Sequence, residues 1–218
     1  MIAVITATSF EIPILRKRLK RFQSRNQTYW LGQINNQPIL SFICGIGDNL
    51  NGIHLLHQYS IQKIILVGFS AALQSDLSLN EAYQIDRVYS QDQKAIDITQ
   101  KPNVISLTSN QIADNSLKGK LKNEFPQCQL LDMETYHIAK LSQQNAWEFI
   151  SLRAIYDQIN ESIPFYLQNC IHSSGNLHLL GLFQSLPSML LNHKILLKFW
   201  RRSKLCNNLL YKELCTIL

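Results

Sequence analysis

No two of the five cysteines, Cys44, Cys128, Cys170, Cys206 and Cys215, stand in a Cys-x-x-Cys spacing. Their odd number and scatter argue against a disulfide framework and fit a reducing cytosol. Long apolar runs are missing too: the longest, Ile64 to Leu73, falls well short of the roughly 20 residues a membrane-spanning helix needs. Arg and Lys follow the first apolar run instead of preceding it, the reverse of a secretory signal, so a cytoplasmic protein is expected. Charge is sparse at 17% of residues and unevenly placed. From Gly181 to Leu218 six Lys/Arg face one acid, Glu213, which is +5 of the total +6 and leaves only +1 for the first 180 residues. A basic nucleic-acid-binding body is thereby not indicated, whereas a basic tail is. What the 218 residues do hold is 46% apolar side chains, enough for one sizeable α/β core with a tail, and no repeat or low-complexity segment.

Hydrophobic periodicity lays out the elements. "IAVITA" is a β-prone run, and "SFEIPILRKRLKRF" after it places Ile12, Leu15 and Leu19 at helical spacing, with Ser9 as N-cap and Pro13 in the first turn. "QTYWLGQINNQPILSFI" predicts two strands around an Asn35-Asn36 turn. "GIGDNLNGIHLLHQY" predicts a helix, and "KIILVGF", "EAYQIDRVYS" and "NVISLTS" predict strands. A helical piece ending near Phe125-Pro126 precedes the strand "QLLDM", the helix "ETYHIAKLSQQN" and the buried strand "EFISLRAIYD". From about Ser162 the pattern is helical throughout. The expectation is a three-layer α/β sandwich on a mixed sheet over residues 1–161, with a C-terminal helical extension over 162–218.

Ligands in open α/β sheets bind beyond the C-terminal strand ends, which here means the loops after Ala7, Ile43 and Gly68 and the position of Asp157. "CGIGDN" (44–49) carries Gly45 and Gly47 between a strand and a helix; it lacks the third glycine of a dinucleotide fingerprint and the Lys of a P-loop, so it is either a tight turn or a backbone cradle. Glu134-x-x-His137 has the spacing that serves di-iron bundles, but no second copy exists, and no metal or cofactor is expected. Taken singly, Glu134 reads as a first-turn acid complementing a helix dipole and Asp157 as a cap. Together with Glu11 they form another pattern.

In order and spacing, "MIAVITATSFEIPILRKRL", "GIGDNLNGIHLL", "KIILVGFSAAL", "LLDMETYHIAKL" and "FISLRAIYDQINE" resemble the nucleoside phosphorylase/nucleosidase superfamily, which includes methylthioadenosine/S-adenosylhomocysteine nucleosidases, futalosine hydrolase and hopanoid-associated phosphorylases. The resemblance covers roughly residues 1–161. It implies that Glu134 accepts hydrogen bonds from the ribose hydroxyls, that Met133 packs on the sugar, that Asp157 protonates purine N7 and that Glu11 activates water. Asp132 is expected to face elsewhere. Phe69 and Ser70 of the loop after the central strand, the two glycines of "CGIGDN", and Ile112 as a base-stacking residue complete the expected substrate site. A nucleoside with water or phosphate as second reactant, and a homodimer or other homo-oligomer, are the implied partners. Cleavage of an N-glycosidic bond needs a proton donor at the leaving base, a base on the opposite face and nearby negative charge, which is what three carboxylates offer.

The sequence departs from that family at several places. "GFSAAL" has Ala71 and Ala72 where relatives keep glycines and Phe69 where many have Ser; Tyr156 replaces a small Ser; Leu66 stands where some phosphorylases place a phosphate-binding Arg, and the glycine–arginine phosphate loop after the first strand is absent. These losses favour water as nucleophile and also leave open a non-catalytic nucleoside binder. In the tail, Leu191, Ile195, Phe199, Cys206, Leu210 and Leu214 form one helical stripe and Lys194, Lys198, Arg201, Asn208 and Lys212 another. That helix either packs on the sheet or a partner, or lies on an anionic membrane as a peripheral contact. The extension from "GNLHLLGLFQSLPSML" resembles that of hopanoid-associated phosphorylases, which implies phosphorolysis of a lipid-linked nucleoside as the alternative activity.

Overall fold

The computed structural model describes residues 1–24, 27–48, 50–100 and 103–218, so Asn49 of "CGIGDN" lies outside the described residues. The centre is an 11-stranded mixed sheet. Strand β1 (Ile2–Thr6) follows none and β2 (Lys20–Ser24), β3 (Gln27–Ile34) and β4 (Gln37–Ile43) meander antiparallel beside it, with β4 parallel to β1. Asn35 and Asn36 both have positive φ, 49° and 63°, the geometry of a two-residue type I′ hairpin turn and one that Asn tolerates well.

Everything about the site follows from β5 (Lys63–Ala72) being twice as long as β1. Its first half lies between β1 and β11 (Glu148–Asp157), both parallel to it. Where β1 ends, β10 (Leu130–Asp132) takes over the same edge, antiparallel, with Leu131 opposite Ala71, while Asp157 of β11 stands opposite Ala71 on the other edge. The ends of β1, β10 and β11 are thereby gathered around the second half of one strand. Outward from β10 the sheet continues through β9 (Ile105–Thr108), β7 (Arg87–Ser90) and β8 (Ala95–Asp97); β6 (Ala82–Ile85) pairs with β11.

Both faces of the central strands are covered, which explains their unbroken apolar runs. Ala3, Ile5, Ile64 and Leu66 pack with Leu55 and Leu56 of α2 (His54–Gln58) and with Ile138 of α4 (Thr135–Gln144). Val4, Ile65 and Val67 point the other way, onto Leu15 of α1 (Pro13–Lys17) and onto Cys206, Leu210 and Leu214 of α7 (His193–Ile217). Helix α3 (Asn115–Glu124) covers β9 and β10 through Leu121. The extension contributes α5 (Phe165–Gln168), α6 (Leu179–Leu191) and α7. Truncating fully buried Leu210 to Ala would remove about 2–5 kcal/mol, the range for a core leucine, so α7 belongs to the core and does not hang beside it.

Three expectations are corrected. The first helix is far shorter than its periodicity suggests: it starts at Pro13, capped by Ile12 in a left-handed conformation (φ 37°) and not by Ser9, and the residues from Lys20 leave it as β2. The residues between Ala7 and Ile12 are drawn into the site instead. "EAYQIDRVYS" is broken at Asp86 into β6 and β7, because the Asp86 carboxylate accepts the backbone N–H groups of Asn103 and Val104 and ends the ladder there. Of the predicted tail stripe, Phe199, Cys206, Leu210 and Leu214 of α7 are buried, but Leu191, the last residue of α6, and Ile195 are exposed.

Candidate active site

Beyond the end of β1 the chain folds Glu11 back beneath its own loop. The carboxylate is buried, accepting the N–H of Thr8 (2.7 Å) on one oxygen and that of Phe69 (2.9 Å) on the other. Arg16, itself buried, holds that loop from behind by donating to the carbonyls of Ser9 and Glu11 and to Thr6 Oγ1 (3.1 Å). Closeness is achieved through Gly68: a Cβ there would lie 2.7 Å from Glu11 Oε1 and 2.5 Å from Arg153 Nη1. Only glycine admits both groups to the same point of β5.

Strand β10 delivers Asp132, Met133 and Glu134 in succession. Asp132 Oδ1 accepts the N–H groups of Glu134 (3.0 Å) and Thr135 (2.9 Å) and so caps α4, and it also accepts from Thr108 Oγ1 (3.1 Å). It therefore does not point away from the site: it lines the same cavity, and its Oδ2 is buried with no hydrogen-bond partner among the described residues. Glu134 Oε1 accepts the N–H of Gly47 (3.2 Å). Gly45 and Gly47, with φ of 89° and 74°, thus form a backbone turn that grips Glu134; neither glycine lines the cavity itself.

Arg153, in the middle of β11, is fully buried among these acids. Its guanidinium donates to Thr135 Oγ1 (2.8 Å) and lies 3.5 Å from Glu134 Oε2 and 3.7 Å from Asp132 Oδ1. One cation thus faces three buried carboxylates, an arrangement that disfavours full ionisation of the group. Burial pushes Glu134 up to about 8, with Asp132 and Glu11 adding to the rise and Arg153 and the Gly47 N–H opposing it. Burial raises Glu11 as well, resisted by the N–H groups of Phe69 and Thr8 and by Arg153 and Arg16.

Asp157 closes the far side. It is buried and ion-paired through Oδ2 with Lys118, a lysine with no exposed surface that also donates to the carbonyls of Gln158 (2.8 Å) and Glu161 (2.6 Å). All three ammonium protons are engaged. Burial lifts Asp157 to about 6 even against the pull of Lys118. Glu161 ties this corner to the tail: Lys198 and Arg202 of α7 both pair with it, and Arg202 also donates to the Tyr156 carbonyl (3.1 Å). Burial would raise Glu161, but the hydrogen bonds from Arg202, the Gln158 N–H and Lys198 hold it down at about 2.

Glu11, Phe69, Ser70, Ile112, Met133, Glu134 and Asp157 all line one cavity of about 380 Å³. Of the residues expected to form the site, only the two glycines stand behind its wall. Phe69 and Tyr156, two of the departures noted in the sequence, are stacked on each other at 5.0 Å and 7° between planes, and Tyr156 also meets Phe199 of α7. The bulk at one position is thus packed by the bulk at the other. Ala71 lies on the cavity wall and Leu66 is buried in the apolar core and does not line the cavity. Beyond Asp157 the cavity continues between the helices of the extension, lined by Leu167, Ile171, Leu182, Met189, Leu196 and Phe199. The segment between α5 and α6 is sewn onto the site loops: Ser9 N–H donates to the Gly175 carbonyl (2.8 Å) and Ile46 N–H to that of Ser173 (2.9 Å). At Gly175 (φ 80°) a Cβ would stand 2.0 Å from the Ala7 carbonyl oxygen.

Arg153, Lys118 and Arg16 were not singled out from the sequence. Arg153 had a signal, a lone charge inside the otherwise apolar "FISLRAIY" of a strand buried on both faces. Lys118 had none, since "NSLKGKLKNE" reads as a solvated helix.

Solved structures with a similar fold exist. An S-adenosylhomocysteine nucleosidase from Streptococcus pyogenes, in complex with 5-methylthiotubericidin, superposes with a TM-score of 0.64 at 19% identity over 72% of this chain and 83% of that one. Futalosine hydrolase of Helicobacter pylori gives 0.65 at 18% identity, covering 73% and 85%. This is the nucleoside phosphorylase/nucleosidase fold. A 5′-methylthioadenosine/S-adenosylhomocysteine nucleosidase from Colwellia psychrerythraea, in complex with adenine, gives 0.64 at 16%, covering 72% and 82%. No family model and no curated protein sequence matches the chain. At these identities the likeness to nucleosidases is one of fold.

Proposed function

We propose that the chain cleaves the N-glycosidic bond of an adenine-type purine nucleoside by hydrolysis. The observation that carries this reading is the convergence of Glu11, Glu134 and Asp157, from three separate strand ends, on one cavity large enough for a small ligand. In the proposed reaction Asp157 holds a proton for the departing base, which leaves neutral. Glu11, with one backbone N–H on each oxygen, keeps lone pairs free to take a proton from water. Glu134 meets the ribose hydroxyls while Met133 packs on the sugar. Burial raises the carboxyls of both Glu134, to about 8, and Glu11; in the proposed reaction Glu11 acts as the base in its ionised form, which the N–H groups of Thr8 and Phe69 favour. The negative charge around Arg153 favours the oxocarbenium-like sugar of the transition state.

Water is preferred over phosphate because, among the described residues, no Lys or Arg lines the cavity. Chromatographic measurement of free base from 5′-methylthioadenosine, adenosine and inosine, with and without phosphate, tests both parts. Base release independent of phosphate is expected; release that requires phosphate makes it a phosphorylase, and binding without turnover makes it a binder.

A second reading concerns the substituent. The apolar arm between α5, α6 and α7 favours a nucleoside with a large apolar group at its 5′ side, a lipid-linked nucleoside in the limit. In a series of 5′-alkylthioadenosines KM should then fall as the alkyl chain lengthens; a KM that rises from methyl onward removes this reading.

A further inference from the structure

Helix α6 reads "LLGLFQSLPSMLL", 13 residues without a single charge. A helix without charge and dominated by large apolar side chains is normally covered on most of its surface. Here the inner side is covered: Gly181, Ser185 and Met189 are buried, and Leu182 and Met189 line the apolar arm of the cavity. The outer side is not. Leu179, Leu180, Phe183, Leu190 and Leu191 are 61%, 62%, 67%, 74% and 83% exposed, and Phe165 of the neighbouring α5 is 74% exposed. Large apolar side chains at that exposure along one face mark a contact with something outside the fold.

The surrounding charge selects what that is. In residues 162–218 the only acid is Glu213, which lies near the far end of α7, roughly 28 Å along the helix from Lys194 at 1.5 Å per residue. Glu161, just before this stretch, is taken up by Lys198 and Arg202, and the turns of α7 that follow directly on α6 still carry exposed Lys194, Arg201 and Lys204, the last over the ring of Trp200 at 4.1 Å. A second copy of the chain docking here about a two-fold axis would set this cationic rim against itself, since an isologous contact uses the same patch on both subunits. A surface that is apolar within and anionic at its boundary matches both parts. At 13 residues α6 is about 20 Å long, short of the roughly 30 Å hydrocarbon core, and no described helix is long and apolar enough to cross it.

We propose that α6 lies in the interface of an anionic bilayer, its Leu179/Leu180/Phe183/Leu190/Leu191 face among the acyl chains and the Lys/Arg of the first half of α7 on the headgroups. This differs from the contact expected of the basic α7 alone: the Phe199/Cys206/Leu210/Leu214 stripe of α7 is turned into the core, and the anchor is the uncharged helix before it. The proposal stands on this surface and not on the nucleoside reading. The two meet at one point, because the inner side of the same helix lines the cavity's apolar arm, so a docked bilayer would stand one helix away from whatever occupies it.

Flotation of the full chain with vesicles tests it, using phosphatidylcholine alone and phosphatidylcholine mixed with phosphatidylglycerol. At about 0.1 M salt the bound fraction should be at least about tenfold higher on the anionic vesicles, and that preference should vanish near 1 M salt. Leu180→Gln/Phe183→Gln, at two exposed positions that do not line the cavity, should lower binding to the anionic vesicles by about tenfold or more, with an unchanged circular dichroism spectrum and melting temperature. Lys194→Gln/Arg201→Gln should lower it without affecting folding. Absence of wild-type binding to either vesicle overturns the proposal, as does binding that Leu180→Gln/Phe183→Gln leaves intact. A wild-type dimer in sedimentation equilibrium that this variant dissociates, with no vesicle binding, shows that a second copy covers the face and overturns it equally.

Discussion

Lys118→Met isolates what the buried ammonium does to the acid at the cavity's end. Asp157 sits at about 6 because burial raises it while Lys118, in direct contact and with no exposed surface, pulls it down. Methionine keeps much of the length and removes the charge, so only the burial remains and the carboxyl must rise further. A pair of unit charges about 4 Å apart interacts by about 4 kcal/mol at the effective dielectric of protein sites, and one pKa unit is about 1.4 kcal/mol. A rise of roughly one to three units is therefore expected. If Asp157 donates the proton to the leaving base, activity falls as pH rises through its pKa, so the alkaline limb of the kcat/KM profile, which reports the free enzyme, should begin near 6 in the wild type. In Lys118→Met that limb should move upward by at least about one unit. The variant will also be less stable above that pKa, by about 3–5 kcal/mol, because an unpaired carboxylate is left buried; Lys118→Met/Asp157→Asn should recover most of the loss. An alkaline limb that stays in place, in a variant shown to be folded, refutes the assignment of the limb to Asp157 and the pairing as its cause.

Other predictions rest on the same cluster. Arg153→Met should destabilise by about 3–5 kcal/mol in urea titrations at neutral pH, since three buried carboxylates lose their one shared cation. Gly68→Ala places a methyl within contact of both Glu11 and Arg153; the expected cost is about 1–3 kcal/mol in stability, with loss of base release out of proportion to it. Thermal stability should depend on pH in a definite direction. The Glu134 carboxyl is raised from 4.5 to about 8 by folding, so the folded state binds the extra proton: this contribution is complete below about 4.5 and is lost as pH rises through about 8. Melting temperatures recorded from pH 5 to 9 should fall for the wild type and fall less for Glu134→Gln.

Much of the sheet was legible because strands buried on both faces advertise themselves as unbroken apolar runs, as "KIILVGF" and "EFISLRAIYD" do. The start of the chain was misread for a reason the site supplies. "SFEIPILRKRLKRF" has helical spacing throughout, yet its first residues give up helix so that Glu11 can receive two N–H groups, and its last ones pair with β3. Tertiary contacts that local periodicity does not register decided both ends. The three carboxylates were visible through their motifs, whereas Lys118 and the Phe69–Tyr156 stack were not, because each depends on residues distant in sequence that meet only after folding. Likewise the apolar α6 was read as part of a helical tail; that its outer face stays uncovered is a property of the packing alone.

The most direct test is the rate of adenine release from 5′-methylthioadenosine in phosphate-free buffer by the wild type and by Asp157→Asn. The account predicts release by the wild type and a rate lower by about 10²- to 10⁴-fold in the variant, the range for loss of a general acid, with nucleoside binding retained in calorimetry. Equal rates in the two proteins, or no release by a wild type that binds the nucleoside, would contradict it.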